Sequence, residues 1–152
     1  MRPTEHPALL PHAAPTSPYR RLLLFAVRRM AAGGLRDAHA AHALLTGFGL
    51  GYRRPLILLR ALMAEVARVS GAQLTVAPCC CPRMTRDEAT LLDLIGEAPL
   101  QPHQVHEVLS ALLRVDHCLG ALTSAQAVAT AFADLGMPLT DDCNFCNCDG
   151  AF

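Results

Sequence analysis

Tryptophan and lysine are absent from this chain of 152 residues, and aromatic residues make up only 5% of it. Runs of β-branched residues are also few, which disfavours a protein built on sheets. The chain is instead rich in alanine and leucine, within a hydrophobic fraction of 52%. These residues favour helices packed on helices. We therefore predict an all-α fold, a single-domain bundle of about six helices with an irregular cysteine-bearing loop and tail.

Segments that would carry the chain to or across a membrane are also lacking. The apolar run from Leu22 to Val27 is closed on both sides by arginine pairs and is too short for a signal core. The run from Leu56 to Val69 contains Arg60, Glu65 and Arg68, which do not suit a membrane span. We expect a cytoplasmic protein without membrane association. Its seven cysteines are then expected to be thiols or metal ligands and not disulfides.

The formal net charge of the chain is zero, but most basic residues lie in its first part and most acidic residues in its second part. Residues 1–86 contain twelve Arg and three carboxylates, whereas residues 87–152 contain one Arg and ten carboxylates. The two parts can neutralise each other, or the first can leave a basic face for an anionic partner. Few aromatic side chains are present for base stacking, so mutual neutralisation is favoured over nucleic-acid binding.

The pattern of helix signals divides the chain into three parts. Residues 1–17 form a proline-rich arm that we predict to be extended or disordered. Residues 18–138 form the helical domain, and residues 139–152 form a cysteine-rich tail. The predicted helices run from Pro18 to Ala32, from Asp37 to Thr46, from Pro55 to Ser70, from a cap at Thr85 to Glu97, from Pro102 to Leu119, and from a cap at Thr123 or Ser124 to Leu135. Between them, residues 47–51 are predicted to be a hinge and residues 73–77 a short extended segment.

Three consecutive cysteines, Cys79, Cys80 and Cys81, stand between Pro78 and Pro82. The flanking prolines favour an extended segment, in which Cys79 and Cys81 face one side and Cys80 the other. Cys81 also lies just before the N-terminus of the fourth helix, where partial positive charge favours a thiolate. Two thiolates on one side would be half of a tetrahedral sulfur site. The competing interpretation is that these cysteines pack as small apolar residues under the fourth helix.

Three further cysteines lie in the tail, at Cys143, Cys146 and Cys148. A spacing of two residues between cysteines lets one turn present two sulfurs to a single ion. Together the two cysteine groups offer enough thiolates for Zn²⁺, Cu⁺ or an iron–sulfur cluster, and zinc is the simplest choice. The Cys81-Pro82 dipeptide is similar to one used in some haem-sensing sites, so haem is a minor option. Neighbouring thiols could also form an easily reduced disulfide, and the tail could equally be a disordered segment with inert thiols.

Histidines and arginines supply further candidate residues. His39 and His42 lie one turn apart on a helix with few charges and are additional candidate ligands, although histidines held in the core by backbone groups are the commoner case. Four arginines fall on one half of the first helix: Arg20, Arg21, Arg28 and Arg29. They could bind an anion or a protein partner, and a solvated outer face is the simpler interpretation.

Three segments of the chain are similar to a small family of bacterial proteins of unknown function, seen mostly in alphaproteobacteria. They are Arg21 to Met30, Asp37 to Ala43 and Ala77 to Thr85, and the Cys-Cys-Cys-Pro-Arg-Met string in the last is the most specific part. The resemblance covers residues 19–95 and, more weakly, residues 123–136. It implies a cytoplasmic helical protein and no particular activity, and it does not include the tail cysteines.

We therefore predict a soft-metal-binding protein with a binding or regulatory role, in which Cys79 and Cys81 join the tail thiols and fix the tail to the body. The alternative is a metal-free interaction module that uses the arginine face of the first helix. A protein partner or a second copy of the chain is expected in either case. An enzyme is the third choice, because the chain has no Gly-x-Ser-x-Gly motif and no glycine-rich nucleotide fingerprint.

Overall fold

The computed structural model describes residues 10–140, and this part of the chain is mostly helical. Its helices are α1 (Pro18–Gly33), α2 (Ala38–Phe48), α3 (Arg53–Val69), α4 (Arg86–Glu97), α5 (Pro102–Leu113) and α6 (Leu119–Asp134). Two short antiparallel strands, β1 (His12–Ala13) and β2 (Arg83–Met84), pair with His12 opposite Met84. The predicted helical class is thus confirmed. Among the described helices, none is both long and apolar enough to cross a bilayer.

The core lies where α3 packs against α6, with α1 and α2 on one flank and α4 and α5 on another. Leu59, Leu62 and Val66 form the buried face of α3 and follow the helical spacing of apolar residues. Phe132 of α6 is fully buried and meets Phe48 edge to face, with ring centroids 4.8 Å apart. Each such buried side chain stabilises the fold by roughly 1.5–3 kcal/mol.

Side-chain caps fix the starts of α2 and α4. The Asp37 carboxylate accepts a hydrogen bond from the Ala40 N–H at 3.0 Å. Thr85 and Glu88 form a reciprocal capping box, in which the Glu88 N–H donates to Thr85 Oγ1 at 3.1 Å and the Thr85 N–H donates to Glu88 Oε2 at 2.9 Å. The caps predicted at Asp37 and Thr85 are confirmed.

Helix α5 is shorter than predicted, and α6 begins earlier. Arg114 takes a left-handed conformation with φ 53° and ends α5. Cys118 then stands at the N-cap of α6, whose first residue is Leu119 and not a residue after Thr123. A left-handed conformation at an arginine has no clear signal in a sequence, since non-glycine residues rarely adopt it.

Two connections also differ from the prediction. The glycine-rich segment expected to be a hinge is helical, because α2 continues through Phe48 and a 3-10 turn, Gly49–Tyr52, leads directly into α3. Residues 73–77 form no strand. The strand pairing is made instead by the described part of the N-terminal arm, where β1 is extended against β2.

Candidate functional site

A buried ion pair joins α1 to α4 next to the cysteine loop, which we define as residues 78–82. The Arg28 guanidinium donates to both carboxylate oxygens of Glu88, from Nε to Oε1 at 2.7 Å and from Nη2 to Oε2 at 2.9 Å. The two side chains are only 3% and 1% exposed. The hydrogen bond to Glu88 raises the pKa of Arg28 above its usual value. The guanidinium therefore remains charged inside the protein.

The same ion pair holds the backbone on both sides of the cysteine loop. Before the loop, the Ala77 N–H donates to Glu88 Oε1 at 3.0 Å. After the corner of the loop, Arg28 donates to the carbonyl of Cys81 at 2.8 Å and to that of Arg83 at 2.7 Å. A buried main-chain group left without a partner costs about 1–3 kcal/mol. Arg28 and Glu88 therefore anchor the loop as well as joining two helices.

Within the cysteine loop the chain makes a tight turn. The Cys81 N–H donates to the carbonyl three residues earlier at 3.0 Å, which places Cys79 and Cys80 at the corners. Cys80 is exposed, whereas Cys79 and Cys81 are each half-buried. The contact between Arg28 and this loop is made to the main chain, at the carbonyl of Cys81. The predicted extended conformation is wrong, because the turn hydrogen bond folds the segment between its two anchored ends.

Arg29, the next residue of α1, is also paired with a carboxylate of the same chain. Its guanidinium is fixed by Asp37, the cap of α2, with Nε 3.1 Å from Oδ1 and Nη2 2.7 Å from Oδ2. This bond to Asp37 raises the pKa of Arg29 above its usual value. Arg29 in turn lowers the pKa of Asp37 to about 2. Asp37 therefore holds the Arg29 guanidinium in place at the start of α2.

The N-terminal arm lies along the segment that leaves the cysteine loop. The Ala14 N–H donates to the Pro82 carbonyl at 3.2 Å. In the other direction, Arg83 donates from Nε to the Leu10 carbonyl at 2.7 Å and from Nη2 to the Pro11 carbonyl at 2.9 Å. The exit of the loop is thus held by the arm on one side and by α1 on the other.

The four arginines that the sequence places on one face of α1 differ in how deeply they are buried. Arg20 and Arg28 are buried, with 7% and 3% of their surface exposed, and Arg20 pairs with Asp93 of α4. Arg21 is exposed. A solvated face is therefore wrong for Arg20 and Arg28, because they share a stripe at spacings of four residues with the buried Leu24. That shared spacing is the one local signal that could have placed Arg28 inside.

His39 and His42, the predicted additional ligands, are both exposed residues of α2. The expectation of histidines held in the core is therefore wrong. His39 Nδ1 lies 2.9 Å from Arg29 Nη2 and 3.7 Å from Asp37 Oδ1. His39 thus lies beside the Arg29–Asp37 pair, and among the described residues no hydrogen bond or ion pair connects His39 or His42 to the cysteine loop.

The described residues do not assemble a metal site by themselves. Across residues 10–140, no group of three or more His, Cys, Asp or Glu side chains is arranged to hold an ion. Cys118 is buried between α5 and α6, with its thiol 3.2 Å from the Ser110 hydroxyl, and is not part of the loop. The predicted tail ligands lie outside the described residues: Cys143, Cys146 and Cys148. A full set of thiolates would therefore need ligands from beyond this part of the chain.

Glu88 has a second role that no local sequence pattern indicates. The Thr85-x-x-Glu88 pattern predicts the capping box, which occupies one carboxylate oxygen with the Thr85 N–H. The bonds to Arg28 and Ala77 come from residues 60 and 11 positions away. Neither follows from a local pattern, so the contact could not be predicted from helix signals.

In a comparison with known proteins, the chain matches one family. Residues 6–137 match the sequence profile of a Family of unknown function (DUF6628). The match covers most of the chain, includes the cysteine loop and ends before the tail cysteines. No curated protein and no solved structure matches the chain.

Proposed function

The chain belongs to the DUF6628 family, whose function is unknown, and from that premise we propose that it is a soft-metal-binding protein with a binding or regulatory role. One observation carries the proposal. A buried ion pair between α1 and α4 fixes the cysteine loop, yet Cys80 is exposed and Cys79 and Cys81 are only half-buried. Cysteines that serve as small apolar core residues are instead fully buried, as Cys118 is.

The ion would be held by thiolates from both cysteine groups. The candidate ligands are Cys79, Cys80, Cys81, Cys143, Cys146 and Cys148. Zn²⁺ suits a closed tetrahedral site of four thiolates, and an iron–sulfur cluster needs the same number. Arg28 contacts the loop at the Cys81 carbonyl, and its charge would offset part of the negative charge that such a set carries. Haem at Cys81 is the minor option. Binding by both groups would fix the tail to the helical body.

Metal analysis and absorption spectroscopy test this proposal on the full chain, purified without air and without a histidine tag. We expect about one zinc ion per chain, or iron and sulfide with charge-transfer absorption. Replacing Cys79 and Cys81 together by Ser should abolish metal binding, and Cys146→Ser with Cys148→Ser should do the same. Cys118→Ser is the matched control and should keep the metal. A chain that holds no metal and takes up none of the added zinc would refute the proposal.

The alternative, a metal-free interaction module, depends on the basic face of α1. Arg20, Arg28 and Arg29 are paired with carboxylates of the same chain, which leaves Arg21 as the most exposed of the four. Arg21→Glu is therefore the suitable variant, because Arg28→Glu would place a carboxylate against the buried Glu88. Loss of binding to a protein partner or to a second copy, with unchanged metal content, would favour the module.

A further inference from the structure

An apolar groove lies between α1, α3 and residues 71–77, which we call the wall segment. Its volume is about 390 Å³. Sites for small molecules typically have volumes of roughly 300–1,000 Å³. We propose that the groove binds a medium-chain fatty acid, whose alkyl chain lies along α3 and whose carboxylate pairs with Arg60. This inference goes beyond the metal proposal and does not depend on it.

Apolar side chains form the floor of the groove. They include Val27 and Met30 of α1 and Leu91 of α4, each 5% exposed or less. Among the described lining residues, the only polar side chain is that of Ser70, and its hydroxyl already donates to the Ala72 carbonyl at 2.5 Å. A polar group placed against this lining would lose its hydrogen bonds to water without replacement, whereas an alkyl chain has none to lose. The lining therefore selects an apolar chain.

Alternate side chains of the wall segment complete the groove. Ala72, Leu74 and Val76 line it, whereas Gln73 and Thr75 are exposed. This alternation gives the segment one apolar side and one polar side. The apolar side forms one wall of the groove, and the polar side lies in water.

Hydrogen bonds hold the wall segment in place. At its start, the Gly71 N–H donates to the Leu113 carbonyl of α5 at 2.8 Å. Further along, the Thr75 N–H donates to Asp87 Oδ2 at 2.8 Å, and the Thr75 carbonyl accepts from Thr85 Oγ1 at 2.7 Å. These bonds attach the segment to α5 and to the start of α4, so it is not free to close onto α1 and α3. The groove is therefore preformed.

Arg60 lies at one end of the groove. Arg60, Met63 and Ala67 share one stripe of α3 at spacings of three and four residues, and the last two line the groove. Arg60 Nε donates to the carbonyl of Leu35, another lining residue, at 2.8 Å. From Arg60 to Ser70 the chain rises about 15 Å, at roughly 1.5 Å per helical residue, which is close to the extended length of decanoate. The groove and its terminal cation thus match a medium-chain carboxylate in length.

The positive charge at this end of the groove is not neutralised within residues 10–140. Arg60 has no carboxylate partner there, and its Nη1 and Nη2 atoms make no hydrogen bond. Arg36 is exposed and also has no ion pair within that range. The carboxylates nearest to these two arginines in the sequence, Asp37 and Glu65, are each paired with another arginine. Because two guanidinium nitrogens can bind both oxygens of a carboxylate, an anionic head group complements this end.

Isothermal titration calorimetry of the full chain with hexanoate, octanoate and decanoate tests the role of the alkyl chain. We expect decanoate to bind, and we expect the affinity to rise about fourfold with each added methylene, because each is removed from water. Decanol has the same chain and no charge, and it should bind about tenfold more weakly than decanoate. The inference is overturned if decanoate does not bind or if the affinity is the same for all three chain lengths.

Arg60→Gln tests the pairing with the carboxylate. It should weaken decanoate binding about tenfold and leave decanol binding unchanged, because only the charged head group loses a partner. The matched control is Arg54→Gln on the same helix, since Arg54 pairs with Asp134 of α6 and should not affect either ligand. Equal affinities of the two variants for decanoate would contradict the assignment of Arg60.

Ala67→Phe tests the groove itself, because it places a ring in the groove from an exposed position of α3. It should abolish binding of both decanoate and decanol. Ala61→Phe, at an exposed position about 120° away around the same helix, is the matched control and should keep both. Unchanged binding in a folded Ala67→Phe variant would overturn the inference. A dimer that Ala67→Phe dissociates, in a chain that binds no decanoate, would assign the groove to a second copy instead.

Nuclear magnetic resonance of methyl-labelled methionines locates the ligand without any substitution. Met30 and Met63 line the groove, whereas Met84 lies in β2 and Met137 follows α6. Decanoate should shift the methyl resonances of Met30 and Met63 and leave those of Met84 and Met137 in place. Equal shifts at all four residues, or shifts at Met84 and Met137 alone, would show that the ligand binds elsewhere and would overturn the inference.

Discussion

Replacing both partners of the Arg28–Glu88 pair separates its role as an ion pair from its role as the anchor of the cysteine loop. The variants are Arg28→Met, Glu88→Met and the double variant. Either single change leaves one charge buried without its counter-ion, with 3% or less of the side chain exposed. We expect each single variant to lose about 3–5 kcal/mol of unfolding free energy.

The double variant carries the sharper prediction. Buried ion pairs replaced by apolar side chains of similar volume are often neutral or stabilising. Here the replacement would also remove partners from four main-chain groups: the N–H of Ala77, the N–H of Thr85, the carbonyl of Cys81 and the carbonyl of Arg83. Each costs about 1–3 kcal/mol when unpaired, although water entering the half-buried loop restores part of this. We therefore expect the double variant to remain about 2–4 kcal/mol less stable than the native chain.

Urea unfolding followed by far-ultraviolet circular dichroism measures these free energies, and amide hydrogen exchange locates the loss. Exchange should accelerate at Ala77 and Thr85 in the double variant. The matched control is the Arg54–Asp134 pair, whose side chains are 59% and 51% exposed, and its removal should change stability by less than about 0.5 kcal/mol. A double variant as stable as the native chain, with both amides still protected, would refute the anchoring role.

Two other predictions concern Asp37 and the helix glycines. Asp37 has a pKa of about 2 in the folded protein against a usual 3.8, so its stabilising effect is present at neutral pH and is lost as the pH falls from about 4 towards 2. The unfolding free energies of the native chain and of Asp37→Asn should converge over this pH range. A difference between them that stays constant with pH would contradict this. Gly96→Ala should lose about 1–3 kcal/mol in spite of its better helix propensity, because a Cβ would lie 2.9 Å from the Leu139 carbonyl oxygen. Gly120→Ala should cost less, since its Cβ meets only the far end of the flexible Glu65 side chain, which can shift together with its surface partner Arg68. Thermal unfolding that ranks the two variants equally would count against this reasoning.

Features governed by neighbouring residues could be predicted from the sequence. The inward face of α3 follows from the spacing of Leu59, Leu62 and Val66, which any helix places on one side. The caps at Asp37 and Thr85 depend on side chains within three residues of the helix start. In each case the physical cause lies within a few residues of its effect.

The conformation of the candidate site depends on contacts that no local pattern contains. Prolines on both sides of the cysteines favour extended backbone, yet the chain turns there because Arg28 and Glu88 hold its ends. Arg28 and Arg29 are adjacent and chemically identical, and only the packing of α1 against α4 decides that the first is buried. The predicted ligand set could be placed only in part, since the tail cysteines lie outside the described residues.

X-ray absorption at the zinc edge tests the central claim most directly, on the full chain loaded with zinc. The account predicts a first shell of sulfur atoms alone, with Zn–S distances of about 2.3 Å, which disappears when Cys79 and Cys81 are replaced by Ser. A shell of nitrogen and oxygen atoms, or a sulfur shell that is unchanged in that variant, would show that the cysteine loop is not the metal site.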